Sequence, residues 1–225
     1  MPQPFHPDDF PINTDVALQP TKVFYLKSAI HFKTDAHIYD LTGRLRQPWN
    51  DFSHAFLDET SAVADKLASG GGSPSYSISS CGNMMRTIKT MTDSQGEKVC
   101  DLNMTFVSFD NSTVRFPAGS RHSRHPVEMH PVGADDGRTF TGGKDDSHKH
   151  EAFVKNSIPH FWDMTRGRVG ILYKCLNQKR VEIGRVAGFG FDKDAVLVLN
   201  ADELDDVVAI ATCIILLNGR DAMDA

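Results

Sequence analysis

The chain has 225 residues and a formal charge of −5, since 24 lysines and arginines face 29 aspartates and glutamates. This length suits one domain, with or without tails. A hydrophobic fraction of 40% and a charged fraction of 24% are typical of globular proteins and exclude a disordered or fibrous chain. The net acidity argues against nucleic acid as the partner, because nucleic-acid-binding domains carry a basic surface.

Residues 1–20 are predicted to form a disordered or extended N-terminal arm, because five of the eleven prolines fall there and apolar periodicity is weak. We expect deletion of this arm to change the melting temperature little. The first residues show no signal-peptide pattern. No apolar run reaches the roughly 20 residues that a membrane-spanning helix requires. These patterns predict a cytoplasmic protein without a transmembrane segment.

Between residues 21 and 116, short β-type segments alternate with turns that begin at an Asp or Asn, several of them ending at a Gly. Asp supplies a local hydrogen bond at the start of a turn, and Gly supplies a positive φ at its end. Three hairpins are predicted, joining 37–39 to 44–46, 84–91 to 98–104, and 105–109 to 113–116. Residues 51–67 fit either a short helix or a loop with an edge strand.

Residues 117–150 form a polar insertion in the predicted domain. They are rich in Gly, His, Asp and Ser, and large apolar residues are few. A loop of this length inside a compact domain is unusual, so the segment is either a mobile insertion or a functional loop.

The last part of the chain changes from strands to one helix. Strands are predicted at 168–176, 181–191 and 195–199, followed by a helix with Asn200 as N-cap, Glu203 completing a capping box, and a stop at 218–219. The helix is apolar around its whole circumference, which requires burial on every side. Its predicted core residues are Leu204, Val207, Val208, Ile210, Ala211, Cys213, Ile214 and Leu217. Residues 219–225 are expected to be a tail.

Many antiparallel strands and one fully apolar helix predict a closed β-barrel around that helix, because closure also removes the sheet edges. The predicted fold class is therefore mainly β (α+β), with the barrel domain at 21–218. The arrangement resembles the tubby C-terminal-like superfamily, which includes the tubby domain, the plant LURP-one-related proteins, the phospholipid scramblases and small fungal families. The resemblance is carried by 38–45, by Phe161 and Trp162, by the strand pair 169–186 and by the ending 195–217.

The resemblance implies about twelve strands around a central C-terminal helix. Tubby proteins bind phosphoinositides, but function transfers poorly from a fold alone. The sequence departs from the scramblases, since it contains no Cys-rich palmitoylation tract and no clear calcium loop. Their lipid-moving activity is therefore not expected here.

A basic cluster is the first candidate site. Arg115, Arg121 and Arg124 are close in sequence and could bind lipid phosphates, although anionic lipid surfaces usually require four to eight basic residues. Ordinary surface charge is the alternative interpretation, because Asp135, Asp136, Asp145 and Asp146 fall in the same insertion.

A histidine-rich stretch is the second candidate, since six of the ten histidines fall within 39 residues. His122, His125 and His130 could bind a metal ion, because neutral imidazole is a common ligand. The alternative is a solvated loop, since this spacing defines no coordination geometry.

No catalytic motif is recognisable, so we expect a non-enzymatic binding module without a cofactor. Its partner is predicted to be an anionic lipid headgroup at a membrane surface, or a protein. A metal-dependent enzyme or metal-binding protein built on the histidines, and a structural or regulatory protein, are the alternatives.

Overall fold

A computed structural model describes residues 10–29, 35–46, 49, 52–83, 86–105, 112–132, 150–164, 169–187 and 194–224. Within these residues, twelve antiparallel strands close into one barrel and two helices accompany them. The strands are β1 (Lys22–Lys27), β2 (Ala36–Asp40), β3 (Tyr76–Asn83), β4 (Arg86–Asp93), β5 (Lys98–Thr105), β6 (Ser112–Arg115), β7 (Val127–Val132), β8 (His150–Lys155), β9 (Ile158–Asp163), β10 (Val169–Leu176), β11 (Lys179–Ala187) and β12 (Ala195–Leu199). The helices are α1 (His54–Ser69) and α2 (Asp206–Asp224). The predicted fold class is confirmed.

The strand order is a simple meander in which each strand pairs with its neighbours in the chain. The barrel closes where β12 pairs with β1, from Lys22 opposite Leu199 to Leu26 opposite Ala195. The hairpin predicted around Asp93 is confirmed as β4 and β5: the Asp93 carboxylate accepts from Gln95 N at 2.9 Å, and Gly96 has φ +82°. Closure leaves no long free sheet edge in this ring.

The barrel is filled by α2. Seven of the eight predicted core residues lie on this helix, and all seven have an exposed fraction of 1% or less. Their partners are the inward-facing residues of the strands, among them Phe24, Leu102 and Trp162. Because α2 is surrounded on all sides, its uniformly apolar sequence is the one that a barrel lumen requires.

Both predicted ends of this helix are wrong. The helix begins at Asp206, because Asp205 is the residue whose carboxylate accepts from Val207 N at 3.0 Å and Val208 N at 3.2 Å. Asn200 instead starts a turn, so Leu204 is buried at 4% but lies before the helix. The helix also continues past the predicted stop. Asn218 is buried, and its amide donates to Ile214 O and Ala29 O, so it bonds within the packed helix.

Helix α1 packs against the outer face of β1, β2 and β12. It buries Phe56 and Ala64 in a second apolar cluster with residues of those strands, and Ser53 Oγ caps it by accepting from Phe56 N. The helix alternative for 51–67 is therefore correct. The first predicted hairpin is wrong, since 44–46 form no strand and β2 pairs with β1 and β3. The Asp40 turn does form, but it leads the chain towards α1.

Residues 10–20 run along the outside of the barrel. Phe10 packs against Phe161 with ring centroids 6.3 Å apart, and Leu18 is buried. The backbone of Arg180 accepts from Asn13 N at 2.9 Å and donates to Pro11 O at 3.0 Å. These contacts favour a docked segment, so we expect its deletion to be more costly than the proline content suggested.

Segment 117–150 is not one continuous loop. Its residues 127–132 form β7, in which Val127 and Met129 face the core while Glu128 is exposed. This short alternation of buried and exposed residues is typical of a strand, but the polar composition of the segment as a whole made it hard to recognise in the sequence. The acidic pairs at 135–136 and 145–146, and His148, lie outside the described residues. Across the described residues, no helix is long and apolar enough to cross a membrane.

Candidate functional site: a cationic cleft at the mouth of the barrel

One end of the barrel is covered by residues 117–126, which we call the mouth segment. It follows β6 directly and reaches the start of α2, where His122 Nδ1 lies 3.0 Å from Asp205 Oδ2. The Asp205 carboxylate therefore makes two kinds of contact: it caps the helix by accepting from Val207 N, and it faces the His122 ring. The helix N-terminus favours a carboxylate here, because the unpaired amides of the first turn point towards it.

Further hydrogen bonds fix the mouth segment. Lys155 Nζ, at the end of β8, donates to His122 O at 2.8 Å. Ser123 Oγ donates to His125 O at 2.7 Å, and Ser120 Oγ accepts from His122 N at 3.2 Å. The second nitrogen of the His122 ring, Nε2, accepts from Arg121 Nε at 3.3 Å. These bonds hold the segment between α2 and the β8–β9 hairpin.

A cleft of about 880 Å³ lies between the mouth segment and the β8–β9 hairpin, and we call it the mouth cleft. It is lined by residues 119–127 and 154–157. Of the described residues that line it, none is acidic and five are basic or can become so: Arg121, His122, Arg124, His125 and Lys155. A smaller cleft of about 310 Å³ lies on the other side of the segment, and Arg121 and His122 line both.

Two acidic groups near the start of α2 have cationic partners. Asp206 Oδ2 lies 2.9 Å from Lys22 Nζ, and Glu203 Oε2 lies 2.6 Å from Lys174 Nζ. The carboxylate of Asp205 faces the His122 ring and the helix N-terminus, whose partial positive charge offsets it in part. Asp206 and Glu203 therefore add little unbalanced negative charge to the mouth cleft.

The basic side chains of the cleft are in the opposite situation. In the described part of the chain, no carboxylate oxygen lies within 4.0 Å of Arg121, Arg124 or Lys155. Burial lowers the pKa of Lys155, and the distant Asp205 opposes that shift only in part. A partly desolvated ammonium group gains from an added anion more than a fully hydrated one does.

The structure brings together only part of the predicted basic cluster. Arg121 and Arg124 both line the mouth cleft, whereas Arg115 is an exposed residue of β6 opposite Asp101 and is not among the lining residues. Lys155 was missed by the sequence analysis. It is 33 residues from His122 in the chain, and only the pairing of β8 with β9 and β7 places it at this end.

The predicted metal residues are not gathered around one point. His130 lies on β7 with Nε2 3.9 Å from Glu128, and His125 is exposed in the mouth segment. Among the described residues, the group of potential ligands close enough to share an ion is His122, Asp205 and Asp206. We assign no ion to it, because Lys22 already neutralises Asp206 and a helix N-terminus disfavours a cation.

Comparisons with protein-family models, with curated proteins and with solved structures find no match to this chain.

Proposed function

We propose that this protein is a non-enzymatic module that binds anionic lipid headgroups in the mouth cleft. The observation that carries the proposal is the set of basic side chains around one cleft, with no acidic side chain among the described residues of its lining. We include in the proposal that the chain is a tubby-like protein of the cytoplasm that attaches peripherally to membranes. The twelve strands and the enclosed helix support that relationship.

Phosphate suits the donors of this cleft. Arg121 and Arg124 each offer a planar fork of N–H groups that matches two phosphate oxygens, and Lys155 adds a point charge. Each basic residue near an anionic membrane surface contributes about 1 kcal/mol to binding. Arg124 and Lys155 therefore supply about 2 kcal/mol, and Arg121 adds to this when its guanidinium turns towards the ligand.

The geometry of the cleft also supports a surface-bound ligand. The mouth segment and the β8–β9 turn form its walls, and the turn residues Asn156 and Ser157 are exposed. Val154 on the same wall has an exposed fraction of 50%. A membrane surface can approach these walls without unfolding any part of the barrel.

The first test is co-sedimentation of the purified protein with vesicles at physiological salt. Three vesicle compositions separate the cases: phosphatidylcholine alone, with phosphatidylserine, and with a phosphoinositide. We expect pelleting with the anionic vesicles and none with phosphatidylcholine. An acidic protein partner becomes the better hypothesis when no vesicle pellets the protein.

Single charge-removing variants locate the site. Arg124→Gln and Lys155→Gln should each weaken vesicle binding about fivefold, the loss of one basic contact. Lys66→Gln is the matched control, since Lys66 is an exposed residue of α1 outside the cleft. Equal losses in the control and in Arg124→Gln would show that net charge, and not the mouth cleft, attracts the vesicles.

A further inference from the structure

We propose that His122 is a protonation switch that controls how strongly the mouth cleft binds anions. The inference rests on the proposed function, since it concerns regulation of the same cleft. Its basis is the position of the imidazole between an acid and a base: Asp205 faces Nδ1 and Arg121 faces Nε2.

The hydrogen bonds define the state of His122 at neutral pH. Both carboxylate oxygens of Asp205 lie 3.0–3.1 Å from Nδ1, so Nδ1 carries a hydrogen and donates it. Arg121 Nε can only donate, so Nε2 must accept with its lone pair. The ring is therefore neutral and protonated at Nδ1, and it holds the Arg121 side chain against the mouth segment.

Protonation changes both contacts in opposite directions. A proton taken from solvent binds to Nε2 and removes the lone pair that accepted from Arg121. The imidazolium then faces a guanidinium of the same charge, while its interaction with the Asp205 carboxylate becomes an ion pair. Arg121 must then turn away from the ring. Because Arg121 lines both the mouth cleft and the smaller cleft, its side chain has open space on either side of His122. The cleft thereby gains one freed guanidinium.

Charged groups on several strands, on α2 and in the mouth segment surround His122 and favour or oppose its protonation. The carboxylates that favour the proton are Asp205 and Asp206 of the α2 start, the second one shared with Lys22, and Asp93 across the smaller cleft. Arg121, Lys155 and Lys98 oppose it. Tyr76 stays neutral throughout, because burial raises its pKa to about 12.

The test compares binding to phosphatidylglycerol vesicles at pH 7.5 and pH 5.5. The phosphodiester of this lipid keeps one charge over the range, whereas a phosphomonoester would lose charge near pH 6. We expect the natural chain to bind about fivefold more tightly at pH 5.5, the effect of one added basic group at an anionic surface.

Three variants identify the switch. His122→Gln can still donate to Asp205 and accept from Arg121 but cannot titrate, so its increase in affinity at pH 5.5 should be clearly smaller than that of the natural chain. Arg121→Gln should also reduce the increase, because no guanidinium is released. His125→Gln is the control, since His125 lines the same cleft without contacting Asp205 or Arg121, and most of the increase should remain. An undiminished increase in His122→Gln overturns the proposal.

A second readout separates failure of the switch from failure of the proposed function. If no variant binds vesicles at either pH, headgroup binding is wrong, and nuclear magnetic resonance of the free protein decides on the switch. The His122 ring should carry its hydrogen on Nδ1 at pH 7.5, and hydrogen exchange at Arg121 Nε, compared at each pH with that of an exposed arginine such as Arg124, should become relatively faster as the ring is protonated. A ring with its hydrogen on Nε2 at pH 7.5 contradicts the mechanism.

Discussion

The hydrogen bond between Trp162 and Thr212 offers a direct test of how the helix is held inside the barrel. Trp162 Nε1 donates to Thr212 Oγ1 at 3.2 Å, and neither residue is exposed to solvent. Replacing Thr212 by Val keeps the shape of the side chain but removes the acceptor. The indole N–H then stays buried without a partner.

The size of the effect follows from two opposing contributions. An unsatisfied buried donor costs about 1–3 kcal/mol, and exchanging the hydroxyl for a methyl returns about 0.8 kcal/mol of apolar burial. The Thr212 hydroxyl also donates to Val208 O, a carbonyl that α2 itself can satisfy. We therefore expect Thr212→Val to lower the free energy of unfolding by about 0.2–2.2 kcal/mol, with a middle value near 1 kcal/mol. For a chain of this size, the middle value corresponds to a melting temperature lower by about 2–4 °C.

A double-mutant cycle separates this bond from other effects of the substitution. Urea unfolding is followed by circular dichroism for the natural chain, Thr212→Val, Trp162→Phe and the double variant, since removing Trp162 alters the fluorescence signal. In the Trp162→Phe background there is no indole N–H to satisfy, so Thr212→Val should be close to neutral. If Thr212→Val costs the same in both backgrounds, Trp162 does not depend on α2 and the reasoning is refuted.

Three further outcomes are expected. Ile210→Asp should give no soluble folded protein, because it places an unpaired charge in the lumen, whereas Ile88→Asp on the outer surface should fold; a cooperative melt of the first variant contradicts the enclosed helix. Burial lowers the pKa of His160 to about 4, so the unfolded chain takes up its proton first as pH falls below about 6.5. Stability should then decrease by about 3 kcal/mol between pH 6.5 and 4, and urea titrations of His160→Gln should lack that part of the decrease. Deleting residues 1–20 removes the burial of Leu18, about 2 kcal/mol, so calorimetry should show a melting temperature lower by about 5 °C; an unchanged value would mean a detached arm.

The position of the mouth cleft follows from the way the helix enters the barrel. A buried helix leaves its first amides and the carboxylates that cap them at one end of the lumen. Asp205 satisfies two of these amides, and its second contact ties down the mouth segment. A cleft built on such a support is held by the core of the fold, so the proposed ligand binding there would be coupled to the start of α2.

The sequence by itself determined many of the strands, the turn at Asp93 and the burial of the helix. Local causes act within a few residues: Asp93 and Gly96 form a turn because of their own bonding and φ preferences, and the apolar circumference of 207–217 cannot be exposed to water. The ends of that helix were wrong because Asn200, Asp205 and Asn218 can each bond to a helix end or to a turn. The contacts of the folded chain select between those states.

Only the tertiary structure decided the composition of the site. His122 and Asp205 are 83 residues apart, and Lys155 reaches the mouth segment from a hairpin that follows it in the chain. The closure of the barrel determines which strand ends lie together at one end of it, and no local sequence pattern predicts that arrangement. The sequence shows which residues are basic. It does not show that they share one cleft, or that Asp206 and Glu203 near that cleft pair with lysines, because those distances are set only when the twelve strands close around α2.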